Sequence, residues 1–183
     1  LPFVEKLHFE GVRGRDVYNP TRPFWMDGRL VIAARVEKRE SEKNSVVLFF
    51  FEKNGRWYPL PNAPVFKMQD PFFTFINGEL IFGGVEFCAA CEKKDLQYRT
   101  VFYRGESLST LTRFADGPWG MKDIRLLELK DKQILVLTRP QGMIPGTRID
   151  AGRGKIGYTV ISKLSQLNEN VIVDAKLIAN QFS

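Results

Sequence analysis

Short runs of apolar, β-branched and aromatic residues alternate with turn-forming pairs along the chain. The runs are Leu30–Val36, Val46–Glu52, Glu79–Phe87, Tyr98–Tyr103, Gln133–Thr138 and Lys155–Ile161, and their length and composition favour extended strands. Asp27-Gly28, Asn54-Gly55 and Asn77-Gly78 punctuate them. A short polar residue followed by glycine suits a two-residue hairpin, because both positions take positive φ. No long stretch has apolar residues at the 3.6-residue spacing of a helix, and only Ser162–Asn168 is compatible with one helical turn. The pattern predicts an all-β chain.

The runs recur in order. Asp16, Asp70 and Asp123 each open a unit, 54 and 53 residues apart, and each is followed by a turn and a strongly apolar second strand. A third strand follows at Val46–Phe51, Thr100–Arg104 and Lys155–Ile161, and a weaker fourth near Ala63–Phe66, Thr112–Ala115 and Ile172–Leu177. Repeats of four strands at this kind of period predict a β-propeller of four-stranded antiparallel blades. Stacking of blades face to face explains why Val47–Phe51 is apolar at every position instead of alternating. The expected division is 14–66, 67–117 and 120–179, within a single incomplete propeller domain over 1–183. A β-sandwich is the competing architecture, but it does not call for an aspartate at one point of each repeat.

Composition narrows the partners. The 183 residues are 44% hydrophobic and 26% charged, as expected of a globular chain. The longest apolar runs are far shorter than the ~20 residues of a membrane helix, so no membrane partner is expected. The net charge of +6, from 27 basic and 21 acidic residues, favours anionic ligands in general. The basic residues are dispersed among acids, as in Glu37-Lys38-Arg39-Glu40. A mixed, solvated surface accounts for that pattern, and no nucleic acid is expected as a partner. His8 is the one histidine, which argues against a His-based triad or a multi-histidine metal site. Cys88-Ala-Ala-Cys91 has the spacing of half a zinc site or of a redox pair. No second pair exists, and the motif lies between strands, so an incidental loop pair is the simpler reading. No metal and no cofactor is expected, and a cytoplasmic location is.

The candidate chemistry is carried by carboxylates. In a propeller the first strand of each blade lines the central funnel, so Asp16, Asp70 and Asp123 would face one cavity. Repulsion and partial burial there would raise at least one pKa. A protonated acid beside an ionised carboxylate is what cleavage of a glycosidic bond requires. The alternative is that each aspartate caps a turn or pairs with a nearby base. Arg35 and Arg139 align on second strands, Arg125 follows Asp123 on the same face, and Lys122 precedes Asp123. Lys155 opens a third strand inside Gly152-Arg-Gly-Lys. Such guanidinium and ammonium groups either bind phosphate or carboxylate, or neutralise the aspartates. Glu37 and Glu86 end second strands and are fallback acids, with Gln141 at that register in the third repeat. Trp25, Trp119 and Tyr18 offer aromatic faces for a sugar ring, or packing surface between blades.

Gln69-Asp-Pro-Phe72 and the repeat resemble the five-bladed β-fructosidase-like propellers, the superfamily of invertases, arabinanases and mannoside phosphorylases. Gly14-Arg-Asp-Val-Tyr-Asn19, Gly120-Met-Lys-Asp-Ile-Arg125, Thr138-Arg-Pro-Gln141 and Gly152-Arg-Gly-Lys-Ile-Gly-Tyr158 are similar to motifs of an uncharacterised bacterial family within it. The resemblance implies Asp16 as base or nucleophile and Asp70 as the carboxylate that stabilises the transition state or tunes the acid. It places Asp123 where many relatives hold a glutamate acid. Substrate-binding roles are expected for Arg35, Glu86, Lys122, Arg125, Arg139, Gln141, Lys155 and Trp119. A carbohydrate substrate is expected, with phosphate as a second candidate. Glycoside hydrolysis is the first expectation. Phosphorolysis, a non-catalytic glycan- or anion-binding propeller and an interaction scaffold are the alternatives. The repeat count gives about three blades of an expected five, so further blades or oligomerisation would be needed to cover the open blade faces.

Overall fold

The computed structural model describes residues 6–88, 97–140 and 155–178. The chain is built from antiparallel strands in three sheets, the blades of a β-propeller. The first contains β1 (Asp16–Tyr18), β2 (Phe24–Met26), β3 (Arg29–Lys38), β4 (Ser41–Lys53) and β5 (Arg56–Pro59). The second contains β6 (Gln69–Ile76), β7 (Glu79–Phe87), β8 (Tyr98–Gly105) and β9 (Thr112–Asp116), and the third β10 (Arg125–Glu128), β11 (Ile134–Thr138), β12 (Gly157–Ile161) and β13 (Lys176–Leu177). Each is a meander in chain order, except that β1 and β2 both pair with β3. They are one inner strand interrupted at 19–23, where Pro20 and Pro23 cannot donate to the ladder.

The polar–glycine pairs make the tight turns expected of them. Asp27 and Gly28 have φ of 52° and 72°, Asn54 and Gly55 53° and 75°, and Asn77 and Gly78 51° and 81°. Two consecutive positive values match the right-handed twist of a hairpin. The Asn54-Gly55 turn returns the chain at once, so the fourth strand of the first sheet is Arg56–Pro59. The segment Ala63–Phe66 expected there adds only a bridge from Phe66 to Val47. In the third sheet the third strand starts at Gly157, not Lys155. Glu169–Val173 forms a short helix, α1, capped by Asn168 Oδ1 accepting from Val171 N. The expected strand over 172–177 is therefore reduced to β13. Among the described residues no helix is long and apolar enough to cross a membrane.

The chain divides into two compact units. The first runs to Pro71 and includes Ser107–Ser109; the second comprises Phe72–Glu106 and the residues from Thr110 onward. In the first unit, every residue of β3 from Val31 to Glu37 is buried. Ile32, Ala34 and Val36 pack with Phe50 and Trp57, and Phe9 meets the edge of Phe50 at a centroid distance of 4.9 Å. Fully burying a side chain such as Ile32 or Phe50 contributes about 1.5–3 kcal/mol.

In the second unit two sheets share one core. Phe72, Ile76, Ile81 and Phe102 of the second sheet pack with Leu126, Ile134, Val136 and Ile161 of the third. Gly83 makes this packing possible. A Cβ there would lie 2.5 Å from both the Phe72 ring and the Val101 carbonyl oxygen. The opposite face of the third sheet leaves Leu127, Tyr158 and Val160 exposed.

Candidate functional site

In the first unit, β1 lies against β3 with Asp16 opposite Glu37 and Tyr18 opposite Arg35. Arg39 grips Asp16 through both oxygens, Nε to Oδ2 at 2.8 Å and an Nη to Oδ1 at 3.0 Å. The Tyr18 hydroxyl donates to Oδ2 at 3.0 Å. These donors, Arg39 first and Tyr18 second, hold the Asp16 carboxyl below its ordinary value. The bond to Asp16 pushes the Tyr18 hydroxyl up. Asp16 is therefore an ionised carboxylate at neutral pH, unlike the raised acid that converging aspartates would produce.

Asp70 belongs to the same unit. Its Oδ1 accepts from Asn19 Nδ2 at 2.5 Å and from Arg35 Nη1 at 3.4 Å. Arg35 is otherwise occupied: its Nε donates to Glu37 Oε2 at 2.7 Å. Both residues are buried, at 8% and 7% exposure, which does not fit the direct substrate contact expected of Arg35. Glu37 also accepts from the Ser45 hydroxyl, so it is not a free acid.

In the second unit, Arg139 Nη1 donates to Asp123 Oδ2 at 2.5 Å. Arg125 Nη2 stands 3.8 Å from the other oxygen, and its guanidinium lies 4.3 Å from the centroid of Phe72. The segment before Asp123 is tied to β8: Gly117 N donates to Thr100 O at 2.7 Å and Thr100 N to Met121 O at 3.2 Å. The buried Thr100 Oγ1 accepts from Ile124 N at 3.2 Å. These bonds fix the backbone on either side of Asp123.

The remaining candidates separate. Arg113 holds both oxygens of Glu86 at 2.9 and 3.0 Å, and Arg99 Nε adds a bond at 2.7 Å. Arg113 and Arg99 also reach Asp116, at 2.6 and 3.1 Å. The bond to Arg113 is the main reason the Glu86 carboxyl is held below its ordinary value. Glu86 is thus locked in a four-charge cluster and unsuited to proton donation. Arg99 stacks over Trp119 at 4.4 Å, and Lys122 Nζ lies 5.5 Å from the Tyr98 ring centroid. Trp25 is 70% exposed on β2. Lys155 is exposed two residues ahead of β12, and Gln141 lies outside the described residues. Cys88 is disulfide-bonded; Cys91 lies outside the described residues. Among the described residues no group of three or more His, Cys, Asp or Glu is placed to hold a metal ion.

Two features were not read from the sequence. Asn19, Asp70 and Asp123 have φ of 46°, 48° and 63°, so a left-handed residue lies within or beside the inner strand of each blade. Asn and Asp tolerate this conformation better than other non-glycine residues. Asp16 and Asp123 also do not hold equivalent register positions in their own blades. Arg125 pairs with Leu137, and continuing that register sets Asp123 beside Arg139. Tyr18, opposite Arg35, has the corresponding place in the first blade, and Asp16 is two residues further out.

The match to a family model covers residues 2–183, and the family is described as a protein of unknown function, DUF1861. The chain belongs to the DUF1861 family. No curated protein matches this DUF1861 chain in sequence. Solved structures do. MPT-4, a mannose phosphorylase from Leishmania mexicana solved in complex with phosphate ion, is 35% identical over 94% of the chain and 51% of its own, with a TM-score of 0.80. MPT-1, a GDP-Man-dependent mannosyltransferase from Leishmania mexicana, is 32% identical over 98% of the chain and 54% of its own, at 0.79. The DUF1861 chain thus spans about half the length of these relatives. Zg3597, a family 117 glycoside hydrolase from Zobellia galactanivorans, shares the fold at a TM-score of 0.62 and 10% identity, covering 95% of the chain and 60% of its own.

Proposed function

We propose that this protein is a carbohydrate-active enzyme of the phosphorylase type, moving a mannosyl group between a glycosidic oxygen and inorganic phosphate. The observation that carries this reading is the arginine on every candidate carboxylate: Arg39 on Asp16, Arg35 on Asp70 and Arg139 on Asp123. Arg39 and Arg139 are 78% and 43% exposed in their side chains, and a planar guanidinium suits a phosphate as well as a carboxylate. The 35% identity to a mannose phosphorylase solved with phosphate supports the same choice. These observations move phosphorolysis ahead of the hydrolysis first expected.

In the reaction, a phosphate oxygen bonds to the anomeric carbon as the glycosidic C–O bond breaks. The departing oxygen takes a proton from a carboxylic acid, and mannose 1-phosphate is released. Asp16, held ionised, suits the carboxylate that stabilises positive charge on the sugar ring, and Asp70 of the same unit is the candidate proton donor. The test is incubation with a panel of mannosides, with and without phosphate. Mannose 1-phosphate should form only when phosphate is present. Arg39→Lys should raise the phosphate KM by about 10- to 100-fold, the range of a lost charge-assisted hydrogen bond. Release of free mannose at the same rate without phosphate would make the protein a hydrolase. Turnover only with GDP-mannose would make it a mannosyltransferase, like the 32% identical MPT-1.

A further inference from the structure

Arg35 and Glu37 stand two residues apart on β3 and so point to the same face of the sheet. Ser45 Oγ donates to Glu37 Oε2, the oxygen that also takes the Arg35 Nε bond at 2.7 Å. Gln69 Nε2 donates to Ser45 Oγ at 3.4 Å. All four side chains belong to residues only 7–8% exposed. Buried polar groups joined in one connected line are costly to assemble unless each is satisfied. This line ends on Asp70, whose carboxylate is 22% exposed.

The pattern of donors on Asp70 is asymmetric. Arg35 and Asn19 both donate to Oδ1, at 3.4 and 2.5 Å. Among the described residues, Oδ2 accepts no hydrogen bond. Asp70 also sits at φ 48°, a conformation that persists only when its surroundings hold it. We infer that Arg35 is a positioning residue, and that the Gln69–Ser45–Glu37–Arg35 line turns Asp70 so that Oδ2 is the oxygen that meets the substrate. The role of Asp70 toward substrate rests on the proposed function; the coupling of the line to Asp70 does not.

Two measurements test this. The first needs no activity: a double-mutant cycle of Glu37→Gln and Asp70→Asn in urea unfolding. Both replacements keep shape, and groups in one network couple. The unfolding constant of the double variant should differ at least about threefold from the product of the single effects. A product within error overturns the line. The second uses the active protein with mannoside and phosphate. Arg35→Lys should lower kcat about tenfold or more with the phosphate KM unchanged, the signature of an interaction expressed in the transition state. Ser45→Ala, a milder cut, should lower kcat in the same direction. A raised phosphate KM at unchanged kcat would make Arg35 a phosphate ligand and overturn the inference. A wild-type protein without phosphorolysis refutes the proposed function, while the cycle still decides the line.

Discussion

Gly83→Ala isolates the contact that sets the second unit's core. The added methyl would lie 2.5 Å from Phe72 Cζ and 2.5 Å from the Val101 carbonyl oxygen. Ordinary van der Waals contact begins near 3.4 Å, so both neighbours must retreat by close to an ångström. Val101 cannot do so cheaply, because it pairs with Gly84 in the β7–β8 ladder. Phe72 is held at the edge of Phe102, 5.8 Å between centroids. Overpacking a tight core costs about 1–3 kcal/mol, and two obstructed directions put this substitution near ~3 kcal/mol. That is a fall of about 150-fold in the folding equilibrium, or roughly 6–12 °C in Tm for a chain of this length. Urea unfolding followed by far-UV circular dichroism measures it, with the slope unchanged. Adding Phe72→Leu should restore part of the loss, because the ring can shrink away and the carbonyl cannot. A Gly83→Ala protein within ~0.5 kcal/mol of wild type would refute the reasoning. The consequence reaches Asp123, since Phe72 carries the Arg125 guanidinium on its face.

Thr100→Val should cost about 2 kcal/mol in urea unfolding, because it leaves the buried Ile124 N–H without its acceptor; a loss below ~0.5 kcal/mol would show that this bond does not anchor the strand behind Asp123. Glu86 is depressed below its ordinary value of 4.5 in the folded state, chiefly by Arg113. It therefore contributes stability above that value and loses it as pH falls through the folded value. The Tm advantage of wild type over Glu86→Gln should hold steady from about pH 6 to 8 and shrink below about pH 4.5; an advantage that grew on acidification would contradict the ion-pair cluster.

Much of the fold is legible because its turns are local. Asp27-Gly28, Asn54-Gly55 and Asn77-Gly78 carry their geometry in two residues, and the hairpins follow. The second strands are legible because burial on both faces leaves an unbroken apolar run, as in Leu30–Ala34. The fourth strands are short edge elements with weak patterns, so Arg56–Pro59 and α1 were not separable from loop. The acids are legible from the repeat, and so are Arg35 and Arg139 among their partners, but Arg39, Arg113 and Arg99 are not. Arg39 lies beyond the end of β3, and Arg113 and Arg99 reach Glu86 from two other strands. The burial of Arg35 had a signal: alternation along β3 puts Arg35 and Glu37 on one inward face. Only the sheet register shows that Asp16 and Asp123 hold different positions along the inner strands of their blades.

The left-handed aspartates of the second and third inner strands have a bearing on mutational scanning. At Asp70 and Asp123 a substitution changes two things at once, the functional group and the ease of a positive φ. Alanine removes the carboxylate and also strains the chain, by about 1 kcal/mol or more. Asparagine removes the charge and keeps the backbone preference, and glycine removes the side chain and relaxes the strain. An activity lost in alanine but kept in glycine therefore belongs to the backbone. One lost in all three belongs to the carboxylate, and these positions are best scanned with that trio.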